Sequence, residues 1–108
     1  MVGEGLKYDD GKLLWNLLPV ECVEDVVKVL TMGSNKYGSN NWQNVEPFNE
    51  RYYAALMRHL VEWRKGNLID DESKLPHLAH VMCNVVFLLW KEKQNNNLKE
   101  NGESKRFN

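Results

Sequence analysis

Apolar residues recur at helical spacing in three stretches of the chain, separated by segments rich in turn-forming and charged residues. Val23, Val26, Val27 and Leu30 form a stripe that predicts a first helix from about Pro19 to Met32. Pro19 suits a first helical turn and Gly33 a C-terminal stop. Tyr53, Leu56, Met57, Leu60 and Trp63 mark a second helix, from an Asn49 N-cap to about Lys65, before Gly66. Leu78, Val81, Met82, Val85, Leu88 and Leu89 give the core side of a third, from about Pro76 to Lys93. Residues 34–46 hold too many turn formers for regular structure, and 94–108 are polar enough to predict a frayed or disordered tail. An N-terminal arm is expected to be ordered by docking Leu14, Trp15, Leu17 and Leu18 on the helices. Trp15 and Phe87 are expected in the core, with Trp63 and Trp90 packed between helices. The pattern thus predicts an all-α chain: a single helical domain over residues 1–93, built as a small three-helix unit, and a tail over 94–108.

Length sharpens this picture. A chain of 108 residues buries only a modest core alone, and three wide apolar stripes make an incomplete bundle that four helices would close. A homo-oligomer, dimer or higher, that pools helices from several chains is therefore expected, with a site formed between chains; a self-sufficient three-helix domain is the alternative. The formal charge of -1 supplies no global pull toward polymeric nucleic acid or a membrane surface. No apolar run approaches the ~20 residues that span a bilayer, and the opening residues lack the basic and apolar regions of a secretory signal. A cytoplasmic protein is expected. Cys22 and Cys83 sit in apolar helical contexts and read as buried thiols.

Candidate chemistry concentrates in one stretch. Arg58, His59 and Glu62 lie on the second helix, and His77, His80 and Asn84 on the third, at spacings that share a helix face. Asp70, Asp71 and Glu72 occupy the loop between. All three histidines of the chain fall here, and a small protein has little structural reason to collect them. Two further segments are candidate contributors. Asp9-Asp10-Gly11 is a tight-turn signal that projects Lys7 and Lys12. In the segment Lys36-Tyr37-Gly38, a lysine beside turn amides suits a phosphate, while Tyr37 or Trp42, next to Asn41, could stack on a base. For each of these loops alone, packing is the simpler explanation.

The order of these residues also resembles a known family. Lys-Tyr-Asp-x-Gly-Lys-x-x-Trp-x-Leu-Leu-Pro (7–19), Leu-Thr-x-Gly-x-x-Lys-Tyr-Gly-x-x-Asn-Trp (30–42), Arg-Tyr-x-Ala-Ala-Leu-x-Arg-His-Leu (51–60), Trp-x-x-Gly (63–66), Asp-x-Glu-Ser (70–73) and Leu-Pro-His-Leu-Ala-His-x-x-x-Asn (75–84) look like the phage dATP/dGTP diphosphohydrolase N-terminal family. The resemblance implies a small α-helical nucleotide-binding domain of phage or prophage origin, in the cytoplasm of the bacterial host. It further implies action on purine deoxynucleoside triphosphates. The chain is also distantly similar to the all-α MazG-like pyrophosphohydrolases, which hold magnesium with Glu-x-x-Glu and Glu-x-x-Asp pairs. Here the corresponding pairs are His59-x-x-Glu62 and His77-x-x-His80. Magnesium prefers oxygen ligands, whereas imidazole suits manganese, iron, cobalt, nickel or zinc.

On this reading His59, Glu62, Asp70, Glu72, His77 and His80 carry catalysis, and Glu62, Asp70, Glu72, His77 and His80 hold a divalent ion, magnesium or manganese. Lys7, Lys12, Lys36, Tyr37, Asn41, Trp42, Arg58 and Asn84 bind the substrate and its phosphates. The competing expectation is a non-catalytic protein that sequesters phosphate-containing signalling nucleotides of host antiviral immunity and needs no metal. A third reading makes the histidines purely structural.

Overall fold

A computed structural model describes residues 5–102. Among the described residues there are three α-helices: α1, Val20–Tyr37; α2, Phe48–Arg64; and α3, His77–Gly102. Two short 3-10 turns precede α1 and α2, at Trp15–Leu17 and Asn41–Asn44. Among the described residues there is no strand, only an isolated bridge between Ile69 and Pro76. None of the described helices is long and apolar enough to cross a membrane.

The ends of the helices differ from expectation for local reasons. α1 does not stop at Gly33 but continues to Tyr37, because the Ser34 carbonyl goes on to accept from Gly38 N–H at 2.8 Å. The stop is Gly38, whose φ of +97° is open to a residue without a Cβ and strained for others. α2 starts one residue before the expected cap: Pro47 holds the N-cap position, with no side-chain cap, and Phe48 begins the helix. α3 runs past Lys93 to Gly102, since Gln, Asn, Leu, Lys and Glu contain no breaker before that glycine. Of the expected tail 94–108, the first part is therefore helical and 103–108 lie outside the described residues.

α2 and α3 form an antiparallel pair. Phe48 meets Trp90, Tyr52 meets Phe87 and His59 meets His80, so the contacts run in opposite order along the two helices. α1 packs on α3 from another side. The core comprises Val26, Val29, Phe48, Ala79, Cys83 and Phe87. At its far end Trp42 stacks on Phe87, with centroids 4.2 Å apart, and meets Trp90 edge-on at 4.9 Å. Tyr52 closes this knot by donating its hydroxyl to the Trp42 carbonyl at 2.9 Å. Phe87 and Trp90 thus take their expected places.

Other expected core positions do not. Of the six residues expected on the core side of α3, Leu78, Met82, Val85 and Leu89 face outward, while Leu88 packs against the core and Val81 is half-buried. The inner face is instead His77, His80, Cys83, Asn84 and Phe87, joined by Ala79. Tyr53 and Val27 are also exposed, and Trp63 is 38% exposed. The arm is ordered but not docked: Trp15 is 73% exposed, with Leu14, Leu17 and Leu18 exposed beside it. Cys22 is exposed rather than buried, while Cys83 is buried and its thiol is pushed up to about 12 by loss of solvent.

Candidate functional site

Eleven residues, about 16 Å at 1.5 Å per residue, separate the aromatic end of α2 at Phe48 from His59. Here the inner face changes character from apolar to imidazole. His59 Nδ1 and His77 Nδ1 lie 2.9 Å apart. The His80 ring stacks on His59, with centroids 4.2 Å apart and planes 6° from parallel. His77 and His80 are both buried. The α2–α3 pairing brings the three rings together because i, i+3 residues on α3 share one face. One donor atom from each of His59, Asp70 and His77 falls in a group whose members all lie within 4.8 Å of one another.

Asp70 reaches the rings from a loop held shut by its own backbone. Asp70 N–H donates to Leu75 O at 2.9 Å, Lys74 N–H to Asp70 O at 2.8 Å and His77 N–H to Leu68 O at 2.9 Å. Lys74 accepts a φ of +64° to complete the turn, a conformation that costs a non-glycine residue roughly 1 kcal/mol or more. Within the loop Ser73 N–H donates to Asp70 Oδ2 at 2.8 Å. The Ser73 hydroxyl lies 2.7 Å from His80 Nε2 and also accepts from Leu75 N–H. Asp70 Oδ2 stands 3.7 Å from the same imidazole nitrogen.

These surroundings set the charges. Burial, and then the neighbouring His80, push His59 below its ordinary 6.5. Burial does the same to His80, outweighing the opposing pull of Asp70. For Asp70, burial alone would raise the carboxyl; the hydrogen bonds from Ser73, with His80 and His59 nearby, overcome it and hold the group below 3.8. The sign for stability follows. Unfolded histidines take up protons below about pH 6.5 while the folded ones resist, so folding is favoured above that pH and weakens as pH falls through it. Asp70, depressed in the folded state, adds stability above its ordinary 3.8 that is lost on further acidification. The urea midpoint is therefore expected to be higher at pH 7.5 than at pH 5; equal midpoints would contradict the placement of these rings.

A cleft of about 970 Å³ runs between the C-terminal end of α1, the second 3-10 turn and α2. Arg51 and Arg58, two turns apart on α2, line it together with Tyr37, Asn40 and Asn41. Two links tie this cleft to the imidazole cluster. Arg58 precedes His59 in the chain, and Lys36, next to Tyr37, pairs with Glu72 of the acidic loop at 3.3 Å. A second hollow, about 500 Å³, opens over His77 and is lined by Glu62 and Asp71.

An imidazole–carboxylate cluster, with His77 and His80 buried and His59 and Asp70 half-buried, on a helix that also lines an arginine-bearing cleft suits a phosphorylated ligand, and comparison with known proteins narrows the class. The family model described as dATP/dGTP diphosphohydrolase, N-terminal, matches residues 2–101. The chain belongs to this family. A relative from Salmonella phage PMBT28, a dATP/dGTP diphosphohydrolase by name, is 40% identical over 86 residues. That match covers 80% of this chain and 29% of the relative, so the chain spans under a third of that phage protein's length. No solved structure matches the chain.

In this member of the dATP/dGTP diphosphohydrolase N-terminal family the expected site residues fall into three groups. His59, Asp70, His77 and His80 converge as described. Tyr37, Asn41, Trp42 and Arg58 line the cleft, although Trp42 spends one face on Phe87. The remainder are engaged elsewhere or stand apart. Glu62 accepts from Asn67 Nδ2 at 2.8 Å and pairs with Lys65 at 3.7 Å. Glu72 is exposed and holds Lys36. Asn84 is buried and donates to the His80 carbonyl at 2.7 Å, bracing the helix that carries that ring. Lys7 pairs with Asp9 on the exposed arm, and Lys12 is exposed in the turn beyond it; neither lines the cleft or the hollow. Ser73 and Arg51 belong among the site's contributors although their residue types alone did not single them out. The signal for Ser73 was its place three residues after Asp70, within the two- or three-residue reach at which an aspartate side chain accepts from a following backbone amide.

Proposed function

We propose that the chain hydrolyses a phosphoanhydride bond of dATP or dGTP, as the family's description suggests. The observation that carries this reading is the convergence of His59, Asp70, His77 and His80, with α2 also presenting Arg51 and Arg58 to a cleft. The two arginines take the triphosphate, each able to grip two phosphate oxygens. The sugar and base extend along the cleft toward Tyr37, Asn40 and Asn41.

His80 is the proton acceptor. Burial keeps its imidazole neutral at pH 7, Ser73 fixes its Nε2, and Asp70 stands ready to balance the imidazolium that forms. Water adds to phosphorus as the bridging P–O bond breaks, its proton passing to His80 through the Ser73 hydroxyl. Attack at the α-phosphorus yields a deoxynucleoside monophosphate and pyrophosphate. The donor set of His59, Asp70 and His77 fits a divalent ion, which would supply neutralising charge and a more acidic water.

The reading includes a homo-oligomer. Among the described residues six apolar ones are buried, whereas twenty large ones remain substantially exposed, among them Leu78, Met82, Val85 and Leu89 along one side of α3. So long an apolar stripe on one helix is the kind of face that a second copy covers. Incubation of the protein with dATP and dGTP in the presence of manganese or magnesium, resolved by ion-exchange chromatography, is expected to show monophosphate and pyrophosphate. Intact nucleotide under both metals would overturn the proposal. Nucleotide retained unchanged would favour sequestration, a reading that neither the family nor the phage relative supports. Light scattering on the same sample is expected to give the mass of two or more chains, and a monomer would remove the oligomer from the reading.

A further inference from the structure

We infer that His59, His77 and Asp70 form a binding site for one first-row transition-metal dication, such as manganese, cobalt, nickel or zinc, that discriminates against magnesium. The inference deepens the hydrolase reading by naming the class of ion at its site, and rests on that reading only for the ion's purpose.

Two nitrogens bound at about 2.05 Å to a common ion stand about 2.9 Å apart where their directions are at right angles, as in an octahedral site, and about 3.3 Å apart in a tetrahedral one. His59 Nδ1 and His77 Nδ1 are 2.9 Å apart, although they come from different helices and neither is exposed. A hydrogen bond between two neutral imidazoles has the same length, so spacing alone does not choose. The third donor does. Ser73 N–H holds the Asp70 carboxylate where one of its oxygens lies within 4.8 Å of a ring nitrogen of each of these imidazoles, a third donor that a histidine–histidine hydrogen bond by itself does not need.

The neighbours of this trio act as orienting groups. His80 stacks flat on His59 and has its Nε2 engaged by Ser73, so it holds the ring of a donor instead of serving as one. Ser73 N–H fixes Asp70 Oδ2. Metal sites gain affinity from such outer partners. Access is available through the hollow over His77, where Glu62 and Asp71 form an acidic wall.

The donor chemistry sets the selectivity. Magnesium requires oxygen ligands in near-ideal octahedral geometry and gives up its water reluctantly, whereas two imidazoles and one carboxylate suit the later first-row ions. Three protein donors leave coordination positions for triphosphate oxygens. Of the carboxylates that would make an oxygen-rich site, Glu62 is tied to Asn67 and Lys65, and Glu72 to Lys36. The geometry therefore concentrates binding on the nitrogen donors.

The test uses the purified chain, stripped with chelator, and no nucleotide. Cobalt is titrated in and followed by its visible absorption. Saturation at one ion per chain is expected, with displacement by manganese or zinc and none by a 100-fold excess of magnesium. His59→Ala and His77→Ala are each expected to weaken cobalt binding more than the roughly 10–100-fold that loss of an outer partner costs; His80→Gln should fall within that range. Displacement by equimolar magnesium, or no absorption change at all, would overturn the inference, and either result is read on the unaltered protein. Cobalt affinity in either alanine variant equal to that of the unaltered protein would overturn it as well. Cobalt binding as described, combined with intact dATP and dGTP in the turnover assay, would sink the hydrolase reading and leave the site standing.

Discussion

Replacing Asp70 by asparagine is expected to lower kcat for dATP and dGTP by about 100-fold or more, in the range by which general acid–base groups act. Asparagine keeps nearly the same shape and still offers an oxygen to Ser73 N–H. What disappears is the negative charge 3.7 Å from His80 Nε2 and the carboxylate donor beside His59 and His77. KM should change little, because the arginines of the cleft are untouched. Glu62→Gln provides the contrast: Glu62 is tied to Asn67 and Lys65, so its loss should cost only a few-fold. Steady-state kinetics on both variants, with circular dichroism to show that each folds, decides the matter. An Asp70→Asn enzyme within threefold of the parent, or a Glu62→Gln enzyme as impaired as Asp70→Asn, would move the catalytic centre elsewhere.

The second large effect concerns stability. Phe87→Ala should destabilise the fold by about 3–5 kcal/mol, the range for removing a buried phenylalanine. Phe87 is 8% exposed, and its ring is stacked on Trp42 at 4.2 Å and met by Tyr52 at 4.9 Å. Domains of this size hold only about 5–15 kcal/mol in total, so the variant should be partly unfolded at moderate temperature. Trp15→Ala, a larger deletion, is expected to stay within about 0.5 kcal/mol, as exposed positions do, because Trp15 touches little of this fold. Urea melts of the two variants should separate widely. Similar losses would mean that the arm is covered in solution.

The contrast between these two aromatics shows what the sequence could and could not say. Three helices were legible because their apolar residues recur with the helical period and glycines punctuate them. The inward face of α3 was not. Leu78, Met82, Val85 and Leu89 are the most apolar stripe, and a reading by hydrophobicity turns that stripe inward. In the fold the histidines, Ala79, Cys83, Asn84 and Phe87 face inward, since α3 is apolar around most of its first four turns and periodicity cannot choose a side. Trp15 failed for a related reason: a large apolar residue does not name its partner. Gly33 stayed within α1 because a glycine tolerates a helix interior at a cost of roughly 1 kcal/mol.

The site was more legible than the packing around it. Chemistry-bearing residues at i, i+3 spacing on two helices joined by a short acidic loop can hardly avoid meeting, and His59, His77, His80 and Asp70 do meet. Spacing could not rank the carboxylates, because Glu62 and Glu72 have other partners, Asn67 and the distant Lys36, that only the fold reveals. Lys7 and Lys12 belong to an arm whose route was invisible in the pattern. Asn84 braces the turn of α3 that carries His80, a role that residue type alone could not distinguish from contact with a base.

The backbone bonds that close the loop from Leu68 to His77 have one more consequence. A loop that supplies an aspartate and a serine to a site is commonly slack, and ligand capture then bears the entropy of ordering it. Here Asp70, Lys74 and His77 spend their amides on loop carbonyls, so that cost of order 1–2 kcal/mol per residue falls on folding. The ligand meets a preorganised wall, and its affinity is not discounted for building one.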